Sequence, residues 1–246
     1  MRHPTDFPEG MRPIGFETLD STNSEAIRLL KSGKAFEDTV IIADQQTGGR
    51  GRRNASWISP LGNLYMTIVT NVQRRSAAGQ LSFVSALALY DGVIEFGCSE
   101  DNLHIKWPND IIFLKKKLAG ILVESAFQHY VVGIGVNIIR PRGELQKIAV
   151  GLNEAGLDLS PMELACQIAH SFRKWHRMWQ SEGFNVIREA WLTRTNGVGK
   201  EIKVRFPKGG IETGIFEGID SDGCLLLRKT DGHQALVSAA EIFLLD

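Results

Sequence analysis

The sequence predicts an α+β fold in which a mixed, largely antiparallel sheet is flanked by helices and followed by a small β-barrel. Three observations point there. Residues 121–126 and 130–138 are apolar, β-branched runs that read as an antiparallel pair. In 161–180, Leu164, Ile168, Phe172, Trp175 and Trp179 recur at three- and four-residue intervals, which puts them on one helix face turned to a core. Beyond Asn196-Gly197 the composition changes to short strand candidates separated by glycine and aspartate turns.

Taken in order, residues 21–31 read as a loop entering a helix. Ser21, Thr22 and Asn23 suit an N-cap, Ala26, Ile27, Leu29 and Leu30 supply the buried face, and Gly33 can end it. Residues 40–43 form a short apolar strand that leads into a glycine-rich loop, and 64–69 form the next strand. Residues 77–96, rich in Ala and Leu, predict a long helix stopped by Gly97. Strands at 103–106 and 111–114 flank a Trp-Pro-Asn-Asp corner, because Pro108 has no N–H to give a ladder. A helix follows 161–180 at 184–193. Strands at 201–206, 211–219, 224–228 and 235–237 then make a barrel of about 50 residues. The expected division is 1–195 for the larger domain and 196–246 for the barrel.

Composition narrows the class without naming a function. The 246 residues suffice for one large domain plus a small one, and 43% hydrophobic with 23% charged residues is ordinary for a globular chain. A formal net charge of zero gives no global argument for nucleic acid or an acidic membrane. Cys98, Cys166 and Cys224 are too few and scattered for a disulfide framework or zinc site. Residues 1–10 lack the apolar core of a signal peptide, no apolar run is expected to span a membrane, and the expected location is cytoplasmic.

The most informative segment is Gln46-Thr47-Gly48-Gly49-Arg50-Gly51-Arg52-Arg53-Asn54-Ala55-Ser56-Trp57. Glycine lets backbone approach a ligand, arginine offers a planar donor fork for phosphate or carboxylate, and tryptophan offers a flat face. The segment is neither a P-loop, lacking Gly-Lys-Ser/Thr, nor a dinucleotide fingerprint, lacking the third glycine. Alone, it reads equally as an anion-closing loop, a solvated turn or an RGG-like RNA-binding segment. Gly133-Ile134-Gly135 has no following helix and marks a strand that something approaches closely. No Ser-His-Asp or Cys-His arrangement is visible, and the six histidines show no metal-ligand spacing.

Read with Ser21-Thr22-Asn23 upstream, and with Lys106-Trp107-Pro108-Asn109-Asp110, Lys117-Leu118-Ala119-Gly120-Ile121-Leu122-Val123-Glu124 and Gly133-Ile134-Gly135-Val136-Asn137 downstream, the loop resembles the biotin protein ligases from about Gly15 to Asp246. The resemblance implies a ligase-type catalytic domain with an SH3-like C-terminal barrel. It also implies use of ATP and Mg²⁺, formation of biotinyl-5′-AMP, and transfer of biotin to a lysine of a biotin carboxyl carrier domain. On the matching positions it implies catalysis by Arg50, Arg52 and Lys117. A biotin site would comprise Ser21, Thr22, Asn23, Gln46, Arg50, Gly51, Arg52, Lys117 and Gly120. An ATP site would comprise Arg52, Trp57, Asn109, Asp110 and Asn137, with Asp110 toward the metal. Trp57 also reads as a hydrophobic latch for the loop, Asn137 as a strand-end cap, and Pro108-Asn109-Asp110 as a simple turn.

Family members often carry Gly-Arg where this chain has Asn54-Ala55, which puts the loop hinge and retention of the adenylate in question. About twenty residues before Ser21 are too few for a winged helix-turn-helix, so no DNA binding is expected. Pairing of two copies through a sheet edge is common in the family. The rival readings are a lipoate or octanoate ligase, a noncatalytic biotin sensor, and an RNA-binding protein.

Overall fold

The antiparallel pair lies at the middle of a seven-stranded sheet. The computed structural model describes residues 6–72, 75–207 and 209–244, with backbone only at 54, 75 and 76. The first five residues of the polar N-terminus therefore lie outside the described residues. Strands β1 (Arg12–Leu19), β2 (Thr39–Gln46), β3 (Leu64–Thr70), β4 (Leu103–Lys106), β5 (Asp110–Phe113), β6 (Lys116–Ala126) and β7 (His129–Val136) stand in the order β1-β2-β3-β7-β6-β5-β4. Only the β1–β2 pair is parallel; the other pairs are antiparallel, as a mixed, largely antiparallel sheet requires.

Helix α1 (Thr22–Lys31) covers one face of this sheet through Ala26, which packs with Ile41, Val69, Ala126 and Val131. The opposite face carries α2 (Leu81–Ile94), α3 (Pro161–Glu182) and α4 (Phe184–Arg194). Ser160 and Glu163 form a reciprocal capping box at the start of α3, with Pro161 inside it. The five apolar positions expected on its inner face are all buried. Trp175 Nε1 donates to Asp91 Oδ2 at 2.8 Å, and Trp179 Nε1 to Gln80 Oε1 at 2.8 Å, so each buried indole has an acceptor on or beside α2.

Four expectations need correction. The helix expected from Ala77 starts at Leu81, after a 3₁₀ turn, Arg75–Gln80. One stretch, Ala77–Ile94, does have the length and hydropathy to span a membrane by composition alone; here it is the core helix and the turn before it, wedged against α3. Strand β1 was not anticipated, because an edge strand buries little and its alternation is weak. Strand β12 (Glu241–Leu244) was not either, since four residues paired only with distant β8 carry almost no local signal.

The C-terminal sheet comprises β8 (Glu201–Arg205), β9 (Ile211–Ile219), β10 (Leu225–Lys229), β11 (Gln234–Val237) and β12, all antiparallel in the order β11-β10-β9-β8-β12. A register shift at Leu226/Leu227 kinks β10. Its core of Ile202, Val204, Phe216, Ile219, Leu225 and Leu227 is continuous with that of the larger domain. The turn before β10 is wedged in: Trp107 Nε1 donates to the Gly223 carbonyl at 3.0 Å, and a Cβ on Gly223 would lie 2.5 Å from the Phe83 ring. Arg188 Nε reaches the Ile219 carbonyl at 2.6 Å. The two sheets are thereby joined beside the Trp-Pro-Asn-Asp corner.

Candidate functional site: a cavity roofed by the arginine loop

A cavity of about 310 Å³ opens on the α1 face of the large sheet. Its floor is glycine for a steric reason. A Cβ on Gly133 would sit 2.5 Å from Asn23 Oδ1, and one on Gly135 would sit 2.7 Å from Trp57 Nε1. The close neighbours anticipated for Gly133-Ile134-Gly135 are thus two side chains.

One wall is the start of α1. Ser21 has the extended backbone of an N-cap but makes no side-chain capping bond. The polar groups of this segment turn to the sheet instead. Thr22 N–H donates to Gln46 Oε1 at 2.8 Å, Asn23 Nδ2 donates to the Leu122 carbonyl at 3.2 Å, and Thr67 Oγ1 donates to Asn23 Oδ1 at 2.7 Å. These neutral groups sit beside Tyr65, Leu122 and Ile134 on the same cavity. Burial pushes the Tyr65 phenol up to about 12, and its hydroxyl donates to the Pro60 carbonyl. The wall therefore combines apolar surface with uncharged donors and acceptors, the mixture a neutral heterocycle needs.

The roof is the glycine-arginine loop, which folds back as a small hairpin. Trp57 N–H bonds to the Gly49 carbonyl at 2.9 Å and Gly51 N–H to the Ala55 carbonyl at 2.7 Å. Arg53 takes the left-handed conformation, φ 56°, while Ala55 is extended. The positive φ thus falls one residue before the Asn54-Ala55 departure. Trp57 lies across Gly120 and Gly135 with its buried Nε1 unpaired, so in this conformation it latches the loop to the floor. An unpaired buried donor costs about 1–3 kcal/mol.

The far wall holds the charges. Lys117 Nζ is 2.8 Å from Asp110 Oδ1 and 5.3 Å from the Trp57 ring centre. Asp110 Oδ1 is buried and, among the described residues, this ion pair is its close contact; it makes no hydrogen bond. Arg52 donates to Asn109 Oδ1 at 3.3 Å, and Asn109 Nδ2 donates to the Ile121 carbonyl at 2.6 Å. Burial holds the Arg52 guanidinium below its ordinary value, Arg53 adds to that push, and Asp110 opposes it. The turn from β5 to β6, which delivers Lys117 to this wall, has positive φ at Leu114 and Lys115.

Of the residues expected at the site, Ser21, Thr22, Asn23, Gln46, Arg50, Gly51, Arg52, Trp57, Asn109, Asp110, Lys117 and Gly120 all line this one cavity. Two differ from expectation in detail. The Arg50 guanidinium makes a two-pronged pair with Glu124, 2.9 Å on each side, instead of standing free over the cavity. Asn137 does not line the cavity: its N–H donates to the Leu118 carbonyl at 3.0 Å, and its side chain donates to the Lys117 carbonyl at 3.4 Å. It sits behind Lys117 at the strand end.

Several lining groups were not anticipated, Lys106, Tyr65 and Glu241 among them. Lys106 shares a β4 face with His104, opposite buried Leu103 and Ile105, so its alternation did signal it. Burial pushes the Lys106 ammonium below its usual value, with Asp110 and Glu241 pulling it back and Lys117 repelling it. Tyr65 follows from the strand pattern in hindsight. Glu241 comes from the C-terminal sheet, and only the docking of the two domains puts it there.

Residues 15–137 match the Biotin/lipoate A/B protein ligase family and residues 197–245 match the Biotin protein ligase C terminal domain. The chain is 41% identical over 242 residues to a biotin–acetyl-CoA-carboxylase ligase of Paracoccus denitrificans, across 91% of this chain and 97% of that protein. It belongs to the biotin protein ligase family. The bifunctional ligase/repressor BirA of Salmonella typhimurium is 34% identical, across 86% of this chain and 68% of its own length. A biotin protein ligase of Aquifex aeolicus, solved with biotin and ATP, superposes with a TM-score of 0.83 at 27% identity, covering 95% of this chain and 99% of that one. In this ligase the family's two sequence matches coincide with the two sheets, and the cavity lies at their junction.

Proposed function

We infer that the chain is an ATP-dependent biotin ligase: it joins biotin to ATP as biotinyl-5′-AMP and passes the biotinyl group to a lysine of a carboxyl carrier protein. One observation carries the site assignment. Neutral donors from α1 and β2, and cations from the arginine loop and β6, converge on a single cavity. The separate match of 197–245 to the biotin protein ligase C-terminal domain favours biotin over lipoate. A mere biotin sensor would have no use for Lys117 and Asp110 facing each other in the same cavity.

In the first step a biotin carboxylate oxygen attacks the α-phosphorus of ATP. The bond to the bridging oxygen of the β-phosphate breaks, and pyrophosphate leaves with that electron pair. Both reactants are anions, so their approach needs fixed positive charge. Lys117 and Arg52 supply it from opposite sides, Lys117 where the acid meets the phosphate and Arg52 from the roof. Lys106 adds positive charge on the Asp110 side, where pyrophosphate departs. Ser21, Thr22, Asn23 and Gln46 hold the ureido ring, and Trp57 gives up part of the floor to the acid's chain. In the second step the neutral amine of the carrier lysine attacks the acyl carbon, AMP leaves, and the amine's extra proton goes to solvent.

The residues suit Mg²⁺ arriving on the nucleotide. Among the described residues no cluster of three His, Cys, Asp or Glu side chains forms a cage. Asp110 offers one buried carboxylate oxygen, and an Mg²⁺ ion takes one or two carboxylates alongside phosphate oxygens. When bound, it would neutralise the pyrophosphate; Asp110 would hold it, with Asn109 nearby.

This reading carries two further proposals. The enzyme works in the cytoplasm, where ATP and reduced thiols are found; no disulfide joins Cys98, Cys166 or Cys224 among the described residues. Two copies pair through β6, because β5 covers that strand only from Lys116 to Gly120. Sedimentation of the ligand-bound chain as a monomer would end the second proposal. The test of function is intact-mass spectrometry of a carrier domain incubated with enzyme, ATP and biotin. One added biotinyl group per carrier, absent without ATP, is expected; an unmodified carrier with active controls would overturn the reading.

A further inference from the structure

Glu124 belongs to the same strand face as Gly120 and Leu122, but it lies beyond the cavity and does not line it. Its carboxylate is nonetheless fully occupied. Oε1 and Oε2 accept from Arg50 Nη1 and Nη2, each at 2.9 Å, and Oε2 also accepts from Asn23 Nδ2 at 2.8 Å. The polar chain continues from Asn23 to Thr67 at 2.7 Å, and Thr67 Oγ1 lies 2.8 Å from Thr22 Oγ1. Thr22 N–H donates to Gln46 Oε1, Gln46 Nε2 donates to Ser59 Oγ at 3.0 Å, and Ser59 Oγ donates to the Trp57 carbonyl at 2.9 Å. Arg50 and Trp57 are the two arms of the roof hairpin. Both arms are therefore tied to one line of side chains that runs beneath the ligand pocket, and Glu124 is the link that ties the Arg50 arm.

We propose that Glu124 is a positioning residue that clamps the arginine loop shut over the reaction intermediate by holding Arg50 against the Asn23 wall. It touches no substrate and acts through Arg50. A two-pronged, charge-assisted pair fixes the guanidinium in both position and plane, which a single hydrogen bond would not. Shared acceptance from Asn23 makes the clamp sensitive to whatever occupies the neutral wall. Its function is retention: a closed roof keeps the reactive mixed anhydride from water until a carrier arrives. The inference rests on the ligase reading for the identity of that intermediate, but the clamp itself does not.

The experiment compares the full chain with Glu124→Ala, Arg50→Ala and the double variant, by two readouts. The first is release of radiolabelled biotinyl-adenylate from enzyme loaded with ATP and biotin. The second is the rate of tryptic cleavage at the loop arginines without ligand. Release and cleavage are expected to rise about fivefold in Glu124→Ala, the scale of a partly exposed ion pair. Arg50→Ala should do the same, and the double variant should be no faster than Arg50→Ala. Effects that multiply in the double variant, or slower release in Glu124→Ala, would overturn the clamp. If the parent forms no adenylate the ligase reading fails, while the cleavage comparison still decides the clamp. Should Glu124→Ala fold poorly, Glu124→Gln keeps an acceptor for Asn23 but loses the charge, and the same fivefold rise is expected; parental rates in that variant would refute the proposal.

Discussion

Replacing Lys117 with alanine removes the cation that the proposed function places between the acid and the phosphate. Two unit charges about 4 Å apart attract by about 4 kcal/mol at an effective dielectric near 20. Only the charge that grows in the transition state accelerates the reaction, and the Lys117 side chain is 36% exposed, so roughly 2–3 kcal/mol remains. That corresponds to a fall in adenylate formation of about 30- to 150-fold. The chain should still fold, although the buried Asp110 Oδ1 loses the ion pair that is its close contact. The Lys117 N–H bond to the Ile148 carbonyl and the Val150 N–H bond to the Lys117 carbonyl are backbone bonds that survive the change. The ion pair with Asp110 contributes about 1 kcal/mol or less at this exposure. Biotin-dependent exchange of pyrophosphate into ATP reads the rate, and titration calorimetry reads biotin affinity, expected to fall less than about fivefold. Lys117→Arg should recover part of the rate, because the charge returns on a differently shaped group. A Lys117→Ala rate within threefold of the parent would refute the role, as would a loss of biotin affinity equal to the loss of rate.

Lys106→Met should raise the KM for ATP about tenfold, the scale of one lost charge-assisted contact, and leave the biotin dissociation constant unchanged; equal effects on both would remove Lys106 from the phosphate side. Gly135→Ala sets a methyl 2.7 Å from the Trp57 indole, so the latch must lift; faster tryptic cleavage of the loop is expected, and an unchanged rate would contradict the packing. Trp107→Phe leaves the Gly223 carbonyl unpaired at the domain junction and should lower stability by about 2 kcal/mol, roughly 4–8 °C in midpoint, by calorimetry. His176 is held below its ordinary 6.5 by burial, with the Asn71 carbonyl pulling the other way, so the native state prefers it neutral. The unfolded chain then binds more protons just below pH 6.5. Stability should therefore fall as pH drops through that region and level off below the native value, and His176→Phe should flatten the profile in denaturant titrations.

How much of this was legible depended on whether the signal was local. Helix α3 was read to within two residues of its end because five apolar side chains repeat along one face. The central hairpin was legible because its apolar runs are local, largely buried along β7 and half-buried along β6. Strand β1 only half-buries Ile14, Phe16 and Leu19 at an edge, and β12 exists by pairing with a strand some forty residues earlier, so neither had a local signature. At the site, the arginine loop, Lys117 and the Asn109-Asp110 corner could be named because these motifs occur together and in one order, the pattern that resembles the biotin protein ligases; each alone also reads as a turn or a solvated charge. Glu124 and Glu241 could not be, since a lone carboxylate on a strand looks solvated until tertiary packing sets a guanidinium or another domain against it. Ser21 does stand at the N-cap of α1, as serine before a helix usually does, but its side chain makes no capping bond; the strands beneath engage the same polar segment through Thr22 and Asn23.

The most direct test of the convergence of two cationic segments on one acid and one nucleotide is a crystal structure with a nonhydrolysable biotinyl-adenylate analogue. The ureido ring should lie among Ser21, Asn23 and Gln46, with Lys117 Nζ and the Arg52 guanidinium both within hydrogen-bonding distance of the acyl-phosphate linkage. An analogue bound elsewhere, or bound here with Arg52 and Lys117 turned to solvent, would contradict the account.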